Sequence, residues 1–254
     1  PNRWILKGAV ALDYRIGERA RFTMDLDLAH RQDAEAATND LLAAQAVELG
    51  DYFVFQIEGS RDLGEATEGT LRFRVRADVD SRRFEIITLD IGFSEPNELP
   101  STPVPAPDLL GFAGIPAIEV PTIPIEVHVA EKLHAYTREF ADRLNTRAKD
   151  LIDLVLISSE IEFDSWKLRQ AIDKTFGSRG VQLVPEQLPL PPENWAIPYR
   201  KLAQDTGLDP DTAIGHAMVA AFLDPILANA ASPMARWTPE TRAWKEPDDE
   251  ESSG

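Results

Sequence analysis

Asp25 and Asp27 stand two residues apart in the alternating run Arg21-Phe22-Thr23-Met24-Asp25-Leu26-Asp27-Leu28. On a strand, residues two apart share a face, so both carboxylates project one way while Met24, Leu26 and Leu28 fill the other. Neighbouring carboxylates repel, and a divalent cation bound between them reverses that cost. Mg2+, with Mn2+ as the alternative, takes oxygen ligands and is commonly held by one or two carboxylates together with substrate phosphates. A solvated strand bearing two aspartates has the same spacing, so the pair alone does not decide. A third carboxylate, Asp90, interrupts the apolar run Phe84-Glu85-Ile86-Ile87-Thr88-Leu89-Asp90-Ile91. Burying it unpaired is costly, so it meets a cation, caps a neighbour or lies at a strand end.

Upstream, Leu6-Lys7-Gly8-Ala9-Val10 joins an apolar strand to a helical stretch through small residues. Such a turn lets backbone amides approach a phosphate at a helix N-terminus. Lys7, Gly8, Ala9 and Thr23 are therefore candidate nucleotide contacts, with a plain strand-to-helix turn as the alternative. Farther along, Lys132 shares a helix face with His128 and Tyr136. It is either a surface lysine paired with Glu126 or Glu131, or a cation of the site. Asp150 and Asp153 lie near the start of another helical stretch, where carboxylates are stabilising in any case. Arg72, Arg74 and Arg76 alternate with Leu71, Phe73 and Val75, and Arg82 and Arg83 follow. With Arg19 and Arg21 they are candidates for a track along an RNA backbone, or else a charged edge that deters aggregation. His30, His128, His134 and His216 show no metal-ligand spacing.

The elements that must position these residues divide the chain. The first half reads as mixed: a short strand, a helix from Ala9 to Arg15, the strand from Arg21 to Leu28, and a helix from Asp33 to Leu49 with Gly50 as its stop. Tyr52 to Glu58, Thr70 to Ala77 and Arg83 to Phe93 read as an antiparallel meander. Eight prolines between Pro96 and Pro124 argue for a connection rather than regular structure. Helical patterns follow at Glu126 to Phe140, Ala148 to Ser158, Ser165 to Phe176, Tyr199 to Thr206 and Pro210 to Leu227, interrupted by a proline-rich loop from Pro185 to Pro198. The expected organisation is a core over 1–124, a helical part over 125–245 and an acidic tail over 246–254. Because Trp4-Ile5-Leu6 already looks like the inside of a strand, a segment upstream of Pro1 is expected.

The chain has 254 residues, 43% apolar and 27% charged, which is enough to build a core without staples. It contains no cysteine, which excludes disulfides, thiolate zinc sites and thiol chemistry. No apolar run is long enough to span a bilayer. Twenty-six basic against 43 acidic residues give a net charge of −17, so any nucleic-acid contact must be local.

Several segments together resemble the AbiEii toxin family: Lys7-Gly8-Ala9 with Leu12, Arg21-x-Thr23-x-Asp25-Leu26-Asp27, Asp90-Ile91-x-Phe93, Glu126 through Ala130-Glu131-Lys132-Leu133-x-Ala135, and Arg147-x-Lys149-Asp150-Leu151-x-Asp153-Leu154. These are nucleotidyltransferase-like toxins of type IV toxin–antitoxin systems, and the likeness runs from residue 4 to about 157. The resemblance implies an α+β fold, with a DNA polymerase β-like nucleotidyltransferase core on a mixed sheet and a helical C-terminal part. It implies Mg2+-dependent transfer of a nucleoside monophosphate from an NTP to an acceptor, foremost the 3′ end of tRNA, in the cytoplasm, with a cognate antitoxin as partner and no membrane. Asp25, Asp27 and Asp90 would hold the metal, and Asp90 would activate the attacking hydroxyl. Lys132 would bind the triphosphate. Asp150 matches a functional aspartate of the family and either pairs with Lys132 or acts as a base, with Asp153 as support. The family commonly has Gly-Gly or Gly-Ser where this chain has Gly8-Ala9, which implies a lost hydroxyl or glycine torsion. Transfer to a protein or small molecule is a rival within enzymes, and a module that only binds an antitoxin is a rival outside them.

Overall fold

Period-two alternation in the first half and apolar periodicity near 3.6 in the second resolve into two units in a computed structural model. It describes residues 3–48, 50, 52–62, 70–93, 100–108, 111–114, 116–139, 144–179 and 182–246. In chain order the first part holds β1 (Trp4–Lys7), α1 (Gly8–Ile16), β2 (Asp25–His30), α2 (Ala34–Gln45), β3 (Phe53–Asp62), β4 (Leu71–Val79), β5 (Arg82–Phe93), β6 (Thr102–Pro105) and β7 (Glu119–Thr122). The second holds α3 (Ile125–Tyr136), α4 (Ala148–Glu160), β8 (Phe163–Asp164), α5 (Ser165–Arg179), α6 (Ala196–Asp205), α7 (Thr212–Leu227), β9 (Arg236–Thr238) and β10 (Ala243–Lys245). One unit comprises residues 1–17 and 22–124, the other residues 18–21 and 125–254. The chain thus passes between them at 17/18, 21/22 and 124/125.

The first unit is a seven-stranded mixed sheet in the order β3-β4-β5-β2-β1-β7-β6. The β2–β5 and β1–β7 pairs are parallel and the others antiparallel. The meander is β3-β4-β5, and the fold class is the mixed α+β one expected. Strand β2 begins at Asp25 rather than Arg21, because Thr23 turns the chain just before it. Helix α2 is capped by the Asp33 carboxylate, which accepts from the Ala36 N–H at 2.9 Å. Ala37 and Leu41 of this helix pack with Leu26, Leu28, Phe73, Leu89 and Ile91 of the sheet.

The proline-rich stretch is not merely a connection, since it supplies β6 and β7. Pro103 lies opposite Pro121, and the Ala106 N–H donates to the Ile118 carbonyl at 2.8 Å. Prolines sit here at a register position that asks for no hydrogen bond between the two strands. Strand β7 joins β1 through Leu6 opposite Thr122, and the Ile123 N–H donates to the Leu6 carbonyl at 2.9 Å. Arg15 of α1 locks this end by donating to the Ile123 carbonyl at 2.5 Å.

The second unit is helical, with one addition: β8, β9 and β10 form a small sheet in the order β10-β9-β8. Phe163, Phe222, Trp237 and Trp244 pack beside it, with ring centroids 5.0 Å apart for Phe222 and Trp237. Helix α4 is buried along nearly its whole length, from Asp150 to Ser158. Among the described residues no helix is long and apolar enough to cross a membrane. The acidic tail lies almost wholly outside the described residues, which end at Glu246.

Candidate active site

Strand register assembles the first group of side chains. Asp27 of β2 lies opposite Asp90 of β5, and Asp25 opposite Thr88. On the other side of β2, Lys7 of β1 is the partner of Asp27. On the other side of β5, Arg72 of β4 is the partner of Asp90 and Arg74 that of Thr88. Directly paired residues point to one face. Lys7, Asp27, Asp90 and Arg72 therefore form a row of charges, positive at both ends and negative in the middle, with Asp25 one step along β2. The opposite face carries Leu26, Leu28, Leu89 and Ile91 against α2. Burying that face on the helix is what turns the carboxylates the other way.

Gly8 has φ +62°, a conformation that L side chains rarely adopt. A Cβ placed there would overlap the Asp27 carboxylate, coming within 2.6 Å of its Cγ. The Asp27 carboxylate therefore takes the place a side chain at residue 8 would fill. Ala9, by contrast, is buried in the core, so its methyl group belongs to packing. Helix α1 starts at Gly8 with Lys7 extended before it, and Lys7 gives no side-chain cap to the first turn. Thr23 fixes the entry to β2: its Oγ1 accepts from the Asp25 N–H at 3.1 Å.

Asp90 is held in a bidentate pair. Arg72 Nε donates to its Oδ1 at 2.7 Å, and the terminal guanidinium nitrogen donates to its Oδ2 at 2.6 Å. The hydrogen bond to Asp90, opposed by burial and helped by the charges of Asp90, Asp25 and Asp27, holds the Arg72 guanidinium above its usual range. All three aspartates act on this one cation. Among the described residues no group of three or more His, Cys, Asp or Glu side chains stands ready to hold a metal ion. The donors nonetheless fit a hard divalent cation: Asp25, Asp27 and Asp90 offer three carboxylates on one sheet face, close enough together that all three charges act on Arg72. Asp90 is thus occupied by Arg72, a candidate for the RNA track, which the β4 spacing alone does not foretell.

The second group lies within the helical unit. Lys132 is 6% exposed, which rules out the surface-lysine alternative, and Glu131 pairs instead with Arg179. Lys132 Nζ donates to Asp153 Oδ2 at 2.5 Å and lies 3.6 Å from Asp150 Oδ1. Arg21 closes the other side of Asp153 in a fork, with Nε 2.8 Å from Oδ1 and the terminal nitrogen 3.2 Å from Oδ2. Burial alone would strip the charge from Lys132, but Asp153 and Asp150 more than offset it and keep the ammonium above its usual pKa. Asp153 is likewise opposed by burial, yet Lys132 and Arg21 hold it below the ordinary carboxylate range. Asp150 is pushed upward by burial, only partly countered by Lys132. Its Oδ2 is buried without a hydrogen-bond partner, with Arg147 3.8 Å away.

Lys132 thus pairs with both aspartates, with Asp153, expected as support, making the closer contact and Asp150, expected as its partner or as a base, the more distant one. The signal was available, because Asp153 stands in the run Leu151-Ile152-Asp153-Leu154-Val155, where an aspartate needs a cation for the same reason as Asp90. Arg21 is one of the candidate RNA contacts by its charge alone. Its ion-paired side chain is only 10% exposed, which commits it to Asp153. Arg19 pairs with Glu160 at the end of α4. On β4, Arg76 is shared among Gln56, Asp78 and Glu58, whereas Arg74 is exposed. None of the histidines gathers into a ligand set: His30 contacts Asp40, His134 lies against Arg179 and Phe176, and His216 meets the Leu188 carbonyl.

No curated protein matches this sequence. Among solved structures, the chain is similar to MenT4, a nucleotidyltransferase toxin from Mycobacterium tuberculosis, at TM-score 0.52 and 23% identity over 91% of this chain and 86% of that one. Two Helicobacter pylori proteins give weaker likenesses. One described as a nucleotidyltransferase has TM-score 0.45 and 18% identity over 91% and 90% of the two chains. The other, JHP933, has TM-score 0.44 and 19% identity over 90% and 86%. The MenT4 likeness supports the fold. The family model described as nucleotidyl transferase AbiEii toxin, type IV TA system, matches residues 1–229, and with nine-tenths of its length matched the chain belongs to that family of nucleotidyltransferase toxins.

Proposed function

We propose that this toxin transfers a nucleoside monophosphate from an NTP to an RNA hydroxyl, with the 3′ end of tRNA as acceptor, in a Mg2+-dependent reaction that blocks translation in the cytoplasm until an antitoxin counters it. The acceptor oxygen bonds to the α-phosphorus, the bond from that phosphorus to the α–β bridging oxygen breaks, and pyrophosphate leaves while the hydroxyl proton passes to a base. Asp25, Asp27 and Asp90 would hold the metal, which when bound would neutralise phosphate charge as a Lewis acid. Thr23 fixes the backbone of Asp25, and Gly8 leaves room for the Asp27 carboxylate at the start of α1. Lys7 adds positive charge at one end of the row. Asp90 would take the proton of the attacking hydroxyl. Lys132, kept charged by Asp153 and Asp150, enters as the ammonium for the triphosphate, and Asp150 as its secondary partner, both by likeness to the family motifs.

The observation that carries the reading is the single sheet face on which Asp25, Asp27 and Asp90 adjoin Arg72 and Arg74. Arg74, exposed on the strand beside the one that carries Asp90, is suited to a phosphate backbone, which favours a nucleic-acid acceptor over a protein. The test is incubation with total tRNA, Mg2+ and each NTP in turn, labelled at the α-phosphate. Label should enter a nuclease-sensitive, protease-resistant product, and Asp25→Ala should lower its formation by roughly 100-fold or more while circular dichroism is unchanged. Protease-sensitive label, or full activity of the variant, would overturn the proposal.

A further inference from the structure

We propose that Arg72 is a latch on Asp90: it keeps the three carboxylates from taking up a divalent cation until nucleotide phosphates draw the guanidinium away. This rests on the metal role given above to Asp25, Asp27 and Asp90. Both oxygens of Asp90 accept from Arg72, at 2.7 and 2.6 Å. A guanidinium stays protonated at any working pH, so it cannot give up its charge in place and must move before a divalent cation shares that carboxylate. The two partners differ in freedom to do so. The Asp90 side chain is 17% exposed and sits mid-strand between β2 and β4, while that of Arg72 is 44% exposed and can swing out on its long stem.

The row geometry says what draws it. Arg72 ends a row that continues through Asp90 and Asp27 to Lys7. A triphosphate bringing its own cation to Asp25 and Asp27 offers Arg72 a second bidentate anion, because guanidinium forks fit phosphate as well as carboxylate. The exchange swaps one charge-assisted pair for another. It makes metal and nucleotide bind together, and bare metal bind poorly. The arrangement would spare the toxin from holding a metal with no substrate to act on.

The test uses Mn2+ as probe, its free fraction read by electron paramagnetic resonance, with and without an NTP analogue carrying an α,β-methylene bridge. Without nucleotide, Arg72→Ala should bind Mn2+ more tightly on the order of tenfold, the loss of one charge-assisted pair. Arg72→Lys keeps the charge but loses the fork and should fall between Arg72→Ala and the wild type. Arg74→Ala removes a neighbouring charge outside the fork and should change the affinity less than about twofold. The analogue should enhance Mn2+ affinity more in the wild type than in Arg72→Ala. Equal Mn2+ affinity in the wild type and both Arg72 variants, or an equal gain in Arg74→Ala, overturns the latch and leaves the metal reading standing. No Mn2+ uptake by any of these proteins with the analogue present overturns the metal reading and the latch with it.

Discussion

Lys132 Nζ touches Asp153 at 2.5 Å and stands 3.6 Å from Asp150; burial pushes both carboxylates upward, yet the neighbouring cations leave Asp153 below its usual range and Asp150 above it. Asp153 has two cations and is held below its usual range, so its contribution to stability is present above about pH 4 and is lost as pH falls through its lower folded value. Asp150 is raised, so its contribution is present below about pH 4 and is lost as pH rises through its folded value. At pH 7 Asp150 is a cost and Asp153 a support. Asp153→Asn should therefore destabilise the protein at pH 7 by about 3 kcal/mol or more, since it leaves Lys132 and Arg21 underpaired in a buried site. Asp150→Asn should be neutral or stabilising at pH 7, and its advantage over the wild type should shrink on acidification to pH 4. Urea titrations of both variants at the two pH values check the pair of signs. Both aspartates were visible in the sequence as members of one motif. Which one grips Lys132 was not, because three residues on a helix put both within reach of the same face, and the choice is made by packing and by Arg21, 132 residues away in sequence.

Among the elements, β2 was the most legible. Its alternation announced which side chains share a face, and the apolar half meets α2 through Leu26 and Leu28. The pairing of β2 with β5 is a long-range fact that periodicity does not encode, so Asp90 could be suspected but not set opposite Asp27. Strands β6 and β7 are not legible in the sequence, because their prolines argue against a strand, whereas four-residue strands need few donors. Gly8 was legible as a small residue at a strand-to-helix turn, but its reason was not: a positive φ and the Asp27 carboxylate directly over its α-carbon. Gly8→Ala should cost about 1–2 kcal/mol from the backbone alone, with the overlap adding to that. A lower Tm should appear together with weaker Mn2+ and NTP binding, because the methyl group displaces Asp27. An unchanged Tm with unchanged binding would show that residue 8 tolerates a side chain.

For the whole molecule, the excess of 43 acidic over 26 basic residues repels RNA except where basic residues are concentrated. The sequence made all the arginines of β4 look alike. The structure separates them: Arg72 is bound to Asp90, Arg76 is shared by three acceptors, and Arg74 is exposed. Arg74→Ala should therefore weaken tRNA binding and lower the slope of log affinity against log salt by about one. Arg76→Ala should change that slope less. NTP affinity should not move with Arg74→Ala. Filter binding across a salt series reads these quantities directly.

Strand β6 ends the seven-stranded sheet, and its hydrogen bond from Ala106 to Ile118 fixes which way its amides face. By alternation Thr102 and Val104 turn inward like Ala106, so Pro103 and Pro105 occupy the two outward positions. The donors that a passing chain would need for docking are the ones proline deletes. This margin is closed to recruitment of a foreign strand, and during synthesis and folding it guards a nascent sheet against fibrous growth from that side.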